Sequence, residues 1–147
     1  GANASLANNA YLYWQQVGTL AGKAITQGTN SYIYVSGANN ALTLDAATTV
    51  TGDISIYSDG SAGTAITNQG AITHTTGTGQ IYAANFTNNG SITATAGTHT
   101  IATDLTLSSA SATIVEAGAA LTLSGAVTGT VGLTKSGAGA LTVDRWQ

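Results

Sequence analysis

A sequence pattern returns about every twenty residues along much of this chain. Residues 68–73 read Asn-Gln-Gly-Ala-Ile-Thr, and residues 88–93 repeat the pattern as Asn-Asn-Gly-Ser-Ile-Thr. The Leu-Thr-Leu of residues 121–123 returns at the same spacing as the Leu-Thr-Val of residues 141–143. A fixed period of this length is typical of proteins in which each repeat stacks on its neighbour and shares one continuous core.

A second, longer echo links residues 50–56 to residues 101–107, where Val-Thr-Gly-Asp-Ile-Ser-Ile is matched by Ile-Ala-Thr-Asp-Leu-Thr-Leu. This alignment predicts that Asp53 and Asp104 occupy equivalent positions, each just before a short strand. The two spacings together indicate an imperfect unit with insertions.

Within each unit, apolar and polar residues alternate over short stretches such as residues 42–44, 54–56 and 105–107. Period-two alternation places Leu and Ile on one side of a strand and Thr and Ser on the other. Glycine pairs between these stretches supply the positive φ of tight turns, and proline is absent. We therefore predict an all-β, right-handed parallel β-solenoid with coils of about twenty residues, seven in all, with a β-sandwich as the alternative fold.

Residues 1–40 depart from this pattern and are rich in aromatic side chains. We expect residues 1–40 to form a distinct N-terminal cap or docking segment and residues 41–147 to form the solenoid repeats. The spacing of the apolar residues in 1–24 fits either a helix or a strand. The candidate residues for self-association are Tyr11, Tyr13, Trp14, Tyr32, Tyr34 and Trp146.

Charge is scarce: 6% of the residues are charged, with a net charge of −3, whereas 43% are hydrophobic. Nucleic-acid binding requires clustered cations, and Lys23, Lys135 and Arg145 are far apart in the sequence. No apolar run reaches the length of a membrane span. We expect neither a nucleic-acid partner nor membrane insertion.

His74 and His99 are the two histidines and do not fit a metal-ligand spacing. We expect each to lie in a polar turn or on the outer surface, and we predict no metal site and no cofactor. Their separation along the chain does not match the twenty-residue period, so the two side chains need not share a face.

Four aspartates are candidates for catalytic carboxylates, since polysaccharide-active solenoids use acidic residues on an outer face. Glycosidase chemistry requires two carboxylates about 5–10 Å apart across a bound sugar, and no Arg or Lys cluster that would bind uronates accompanies these residues. We interpret them as turn-capping residues, predict no catalytic residues, and keep a polysaccharide-active enzyme as a remote alternative. They are Asp45, Asp53, Asp59 and Asp104.

Residues 131–143, Val-Gly-Leu-Thr-Lys-Ser-Gly-Ala-Gly-Ala-Leu-Thr-Val, resemble the autotransporter-associated β-strand repeat, and residues 121–126 resemble the Leu-Thr-Leu-Ser-Gly-Ala part of the same unit. Residues 68–107 are more loosely similar to the solenoids of filamentous-haemagglutinin-type adhesins. The resemblance implies a secreted parallel β-helix that serves as a passenger or stalk on a bacterial surface.

The expected function is that of a noncatalytic, extracellular or cell-surface structural protein. The absence of cysteine and a start at Gly1 rather than at methionine favour an exported chain. The expected partners are further copies of the chain, stacked head to tail into filaments, or adjacent solenoid repeats. The alternative is an adhesin that binds a host surface or a carbohydrate through exposed tyrosines, with the candidates Tyr32, Tyr34, Tyr57 and Tyr82.

Overall fold

The computed structural model of the chain describes residues 3–109 and 111–147, in which no residue is helical and nineteen short strands follow one another. The strands are β1 (Ala4–Leu6), β2 (Tyr11–Trp14), β3 (Val17–Leu20), β4 (Ala24–Gln27), β5 (Tyr32–Val35), β6 (Ala41–Leu44), β7 (Thr49–Gly52), β8 (Ser55–Ser58), β9 (Ala65–Asn68), β10 (Ala71–His74), β11 (Gln80–Tyr82), β12 (Phe86–Asn88), β13 (Ser91–Ala94), β14 (Thr98–Ile101), β15 (Leu105–Leu107), β16 (Ser111–Val115), β17 (Ala120–Gly129), β18 (Leu133–Ser136) and β19 (Ala140–Trp146).

The strands form a parallel β-solenoid, as the repeat predicted. As far as β14, each strand pairs in parallel with the strand three places later in the chain, one coil away, which gives three faces. Face 1 is the seven-stranded sheet β1-β4-β7-β10-β13-β16-β18. Face 2 contains β2, β5, β8, β11 and β14. Face 3 contains β3, β6, β9, β12 and β15. β17 and β19 contribute their first part to face 2 and their last part to face 3.

β17 joins faces 2 and 3 into one sheet of twelve strands. The first part of this ten-residue strand pairs with β14, and its last part pairs with β15, so the strand continues around the corner between the two faces. β19 follows the same path one coil later, with an irregularity in register after Leu123.

The strands stack in seven layers on face 1, so the described solenoid makes about six full turns, of about 22 residues each rather than the expected twenty. Coil length varies along the chain: Ala71 pairs with Ser91 at the spacing of the sequence repeat, whereas Ala24 pairs with Thr49 at a longer spacing. The difference lies in the length of the corner loops. At an interstrand spacing of about 4.8 Å, the stacked coils span roughly 30 Å.

The core is a set of apolar columns that run along the solenoid axis. Apolar side chains recur in register from coil to coil because period-two alternation points every second residue inward. Between the two end coils these side chains are almost completely buried, and each of the large ones contributes about 1.5–3 kcal/mol through removal of apolar surface from water. The longest column, on face 2, contains Leu12, Ile33, Ile56, Ile81, Ile101, Leu123 and Val143.

Polar residues enter the interior at the corners. Asn68 and Asn88 are paired in register at the end of face 3, are buried, and are joined by a hydrogen bond of 2.7 Å from the Nδ2 of Asn68 to the Oδ1 of Asn88. The Oδ1 of Asn68 also accepts a hydrogen bond from the backbone amide of Gly70. This ladder satisfies buried backbone groups at a turn where the sheet hydrogen bonds end.

Residues 3–40 are built from the same kind of coil as the rest of the chain. The choice between helix and strand for residues 1–24 is resolved for the described part of the segment, since β1, β2 and β3 form the first coil and pair with β4, β5 and β6 of the second. Residues 1 and 2 lie outside the described residues. The aromatic-rich segment is thus continuous with the solenoid, and its role as a cap or docking segment stays a prediction.

Candidate functional site

The outer surface of face 2 carries all six tyrosines of the chain. They occupy outward positions on four successive coils, because each lies next to an inward residue of the face 2 column. We call this surface the tyrosine face. Its members are Tyr11 and Tyr13 on β2, Tyr32 and Tyr34 on β5, Tyr57 on β8 and Tyr82 on β11.

The six rings form one connected chain of aromatic contacts. Tyr11 stacks on Tyr13 of its own strand at 5.6 Å between centroids and on Tyr32 of the next coil at 4.9 Å. Tyr13 meets Tyr34 edge-on at 5.7 Å. Tyr57 continues the chain, at 5.3 Å from Tyr32. Tyr82 completes it, at 6.3 Å from Tyr57.

These rings are partly open to solvent. Tyr11, Tyr13 and Tyr82 are each at least half exposed, at 52%, 59% and 50%. Tyr57 is more enclosed: its hydroxyl donates a hydrogen bond to the Oε1 of Gln80, and burial, followed by the neighbouring Tyr32, raises its pKa. The surface is therefore a layer of partly exposed aromatic rings that carry hydroxyl groups.

The strands of the tyrosine face carry no formal charge, and the carboxylate of Asp59 lies at the corner that follows β8. The strands β2, β5, β8, β11 and β14 contain no Asp, Glu, Lys or Arg. The outward positions of face 3, by contrast, form a column of threonines in register. This column contains Thr19, Thr43, Thr67, Thr87, Thr106 and Thr128.

The first coil leaves one edge of each of its strands without a partner strand among the described residues. Leu6, Leu12 and Leu20 point inward there and are partly buried against the core. Trp14 covers part of this end: its indole lies 3.0 Å from where a Cβ on Gly18 would stand, and its Nε1 donates a hydrogen bond of 3.0 Å to the carbonyl of Ala41 in the second coil.

Within the described residues, the last coil carries apolar side chains at the opposite end of the solenoid. Leu133, Leu141 and Val143 are partly buried against the core, and Trp146 is 58% exposed. Trp146 is paired with Val127, so it occupies the inward register of the face 3 column that begins at Gly18. Apolar surface and free strand edges are therefore present at both ends of the described solenoid.

One charged residue interrupts the apolar columns at the last coil. Lys135 is in register with Thr113, which is buried, and therefore occupies an inward position of face 1. Its ammonium group remains exposed and donates a hydrogen bond to the carbonyl of Gly137. An inward-pointing charge at an open sheet edge opposes pairing with another edge.

The predicted location of the histidines was wrong. His74 and His99 are both fully buried, and their rings lie 4.8 Å apart at the corner between faces 1 and 2. His74 follows Ile72 by two positions and therefore points to the same, inward side of β10. His99 precedes Ile101 by two positions on β14 in the same way.

Burial controls the protonation of both histidines. The Nδ1 of His74 accepts a hydrogen bond from the backbone amide of Ile54, whereas both ring nitrogens of His99 are buried without a hydrogen-bond partner. Desolvation lowers the pKa of His74, partly opposed by the carbonyl of Gly77 and by the charge of Asp53. Desolvation, together with the neighbouring His74, lowers the pKa of His99 to about 3.

The predicted turn role of the aspartates is confirmed for Asp45 and Asp59. Each carboxylate accepts the backbone amide two positions later, from Ala47 and Ser61, and a second amide from the previous coil. The coil-to-coil hydrogen bonds, from Gly22 to Asp45 and from Gly37 to Asp59, are the principal reason why the pKa of each carboxyl is lowered. These side chains hold neighbouring corners together.

The predicted equivalence of Asp53 and Asp104 was wrong. Asp53 is buried at the corner after face 1, whereas Asp104 is exposed at the corner after face 2, where it accepts the backbone amide of Ala126. The similarity between residues 50–56 and residues 101–107 aligned a segment that runs from face 1 to face 2 with one that runs from face 2 to face 3. It did so because every face contains a similar alternating triplet. The two carboxylates therefore do not share an outer surface.

The predicted self-association residues are divided among three places. Tyr11, Tyr13 and Trp14 belong to the first coil, Tyr32 and Tyr34 to the outer surface of the second. Trp146 lies alone at the far end. Tyr57 and Tyr82, which the sequence indicated only as sugar-binding candidates, belong to the same ring chain as the first four tyrosines.

Within residues 3–109 and 111–147, no group of three or more His, Cys, Asp or Glu side chains is arranged to hold a metal ion, and no enclosed pocket is present. The same residues contain no helix of the length and hydropathy needed to cross a membrane. Comparison of the chain with protein-family models, with curated proteins and with solved structures finds no match.

Proposed function

We propose that this chain is a noncatalytic structural element, a weakly charged β-solenoid rod that stacks head to tail on a second copy of itself at a cell surface or outside the cell. The single observation that carries the proposal is that each described coil stacks in register on the one before it, around apolar columns that run the length of the described solenoid. The low charge, the lack of cysteine and the resemblance to autotransporter repeats support the extracellular setting.

The first and last coils of a parallel solenoid are complementary in their backbone hydrogen bonding. On all three faces, the unpaired N–H and C=O groups along the edge of the last coil can pair with those along the edge of the first coil. A stacked copy would place Val143 of one molecule in the same column as Leu12 of the next, since both belong to the face 2 column. The apolar interior would then continue across the junction.

The tryptophans lie at the same junction. Trp146 ends the face 3 column, and Gly18 begins it, with Trp14 packed beside that glycine. Head-to-tail stacking would bring the exposed indole of Trp146 against the ring of Trp14. Burial of large aromatic side chains contributes strongly to interfaces of this kind.

Lys135 makes the junction weaker than an internal coil contact. Lys135 is the last residue of its face 1 column, and Ala4 is the first. Stacking would bring the two together, and the side chain of Ala4 cannot pair with a positive charge. Desolvating an unpaired ammonium group is costly, so the lysine opposes uncontrolled polymerisation. Assembly should therefore be reversible and dependent on concentration.

A noncatalytic role is supported by the state of the polar groups. Asp45 and Asp59 accept backbone hydrogen bonds at separate corners, and His74 and His99 are enclosed in the interior. A general acid or base must reach a substrate, and none of these four side chains has a cleft beside it in the described part of the chain.

Sedimentation velocity over a range of protein concentrations tests the stacking. The wild-type protein should sediment faster as concentration rises, and Lys135→Ile, which replaces the charge by a residue that continues the column, should shift this change to lower concentration. Val143→Lys, which places a charge in the face 2 column, should remain monomeric.

Thr142→Lys is the matched control, because Thr142 lies on the same strand as Val143 but points outward. It should behave like the wild type. Circular dichroism and thermal unfolding establish that each variant is folded. Sedimentation of the wild type and of Lys135→Ile as monomers at all concentrations would overturn the proposal, whatever the behaviour of Val143→Lys.

A further inference from the structure

We infer that the tyrosine face binds a neutral, linear polysaccharide of the β-linked glucose type, lying along the solenoid axis. This binding is separate from head-to-tail stacking, because the tyrosines are on the side of the rod and the stacking surfaces are at its ends. The inference rests on the shape, the exposed groups and the charge of the face.

The shape favours an extended polymer over a compact ligand. The ring chain runs without interruption from Tyr34 and Tyr13 through Tyr32 to Tyr82, across four coils. Three coil steps of about 4.8 Å give a length of roughly 14 Å, close to that of three sugar residues in an extended chain. No enclosed pocket is present in the described residues to hold a small molecule.

The exposed groups match a pyranose ring. Tyrosine presents a large apolar face and a polar hydroxyl in the same side chain. A β-linked glucose unit carries its hydroxyls at the ring edge and exposes C–H bonds on both flat faces, so it can stack on an aromatic ring while its hydroxyls meet the tyrosine hydroxyls. Tyr82 is half exposed and contacts one other ring of the chain, whereas Tyr11 already stacks on two, so Tyr82 is the ring most open to stacking of this kind.

The absence of charge selects the class of polysaccharide. The strands of the tyrosine face contain no Lys or Arg that would pair with uronates or sulfates, and no Asp or Glu that would bind a cationic polymer. Binding to an anionic chain would leave its charges unpaired and partly desolvated. A neutral glycan meets no such penalty.

Isothermal titration calorimetry with cellohexaose tests the inference directly. Saturable heat is expected with cellohexaose, and much less with hexagalacturonate, which is anionic, or with maltohexaose, whose α-linkages curve the chain away from a flat surface. Titration below the concentration at which the protein sediments as more than a monomer keeps this test independent of stacking.

Variants then locate the site. Tyr82→Ala should weaken cellohexaose binding about tenfold, the factor that corresponds to about 1.4 kcal/mol, and Tyr82→Phe, which keeps the ring, should lose much less. Thr100→Ala, on the same face but outside the ring chain, is the matched control and should bind like the wild type.

Three results would overturn the inference: no heat with cellohexaose from folded protein, equal binding of hexagalacturonate, or unchanged binding by Tyr82→Ala. A fourth result would overturn the inference and give the tyrosine face a different role. If Tyr82→Ala alters sedimentation of the protein while no glycan binds, the tyrosine face is a lateral contact between copies of the chain.

Discussion

His74 and His99 lie ring against ring in the interior, 4.8 Å apart between centroids, although they belong to different coils and different faces. Both are fully buried, and the carboxylate that influences the pair is that of Asp53, beside His74. The packing of two neutral imidazoles at this corner makes the fold sensitive to acid.

We predict that the free energy of unfolding falls as the pH is lowered from 6.5. The unfolded chain protonates both histidines near pH 6.5, whereas the folded chain keeps His99 neutral down to about 3 and lowers the pKa of His74. Within that window the unfolded state binds more protons, so stability decreases by about 1.4 kcal/mol per pH unit for each histidine that stays neutral. Urea unfolding at pH 7 and pH 5 measures the difference.

The control is His99→Leu, because position 99 is in register with Leu121 and an apolar side chain continues that column. The variant should be at least as stable as the wild type at pH 7, since it removes two buried ring nitrogens without partners. It should also lose a large part of the pH dependence. An equally steep decline in the variant would contradict the role of the pair.

The asparagine ladder should couple the third and fourth coils energetically. Asn68→Leu removes the acceptor of the Gly70 amide and the donor to Asn88, so we expect a loss of about 2–4 kcal/mol. Leucine fits the column, since Leu44 and Leu107 flank the two asparagines in register. The loss would therefore come from unpaired polar groups rather than from volume.

A double-mutant cycle with Asn88→Leu, measured by urea unfolding, checks this coupling. The double variant should lose clearly less stability than the two single variants added together, because each single change already breaks their shared hydrogen bond. Thr67→Ala, on the outward side of the same strand, should change stability by no more than about 0.5 kcal/mol. Strict additivity would contradict the ladder.

Gly52 is required by the close approach of two coils. It has a φ of +121°, and a methyl group at this position would overlap the carbonyl oxygen of Gln27. Gly52→Ala should therefore destabilise the protein by about 3 kcal/mol or more, through backbone strain and overpacking together. Thermal unfolding measures the loss.

Gly60 provides the comparison, since its φ is +76° but open space surrounds it. Gly60→Ala meets only the conformational penalty, so we expect a loss of about 1 kcal/mol. Equal losses of stability in the two variants would show that the contact with Gln27 contributes nothing to the effect of Gly52→Ala.

Trp146 can report on the end of the rod in solution. Trp14→Phe leaves it as the sole tryptophan, and it is 58% exposed in the isolated chain. Stacking should bury the indole, so its fluorescence should shift to shorter wavelength and become harder to quench with acrylamide as concentration rises. Emission that stays that of an exposed tryptophan at every concentration would contradict burial at the junction.

Much of the core could be predicted from the sequence. Alternation identifies which residues of a triplet share a side, and the twenty-residue repeat correctly aligned Ile72 with Ile92 and Leu121 with Leu141. The inward direction of His74 was also accessible, since it lies two positions after Ile72. The polarity of the imidazole favours an outward position, but at this strand end the alternation of the strand decides the direction of the side chain.

The arrangement of the tyrosine face was not predictable from the period alone. Tyr57 and Tyr82 are paired in register although their separation exceeds the sequence repeat, because the corner loops between them are longer than average. The three faces also contain similar triplets, so the echo that joined Asp53 to Asp104 matched the wrong faces. Loop lengths, which depend on corner hydrogen bonds such as those of Asp45, decide which residues become neighbours.

Electron microscopy of the purified protein at high concentration, with diffraction from aligned material, is the decisive test of head-to-tail stacking. We expect unbranched filaments one solenoid wide, with a meridional reflection near the coil spacing of about 4.8 Å. Discrete particles at every concentration would contradict head-to-tail stacking, and the absence of that reflection from ordered fibres would contradict a continuous solenoid along the filament.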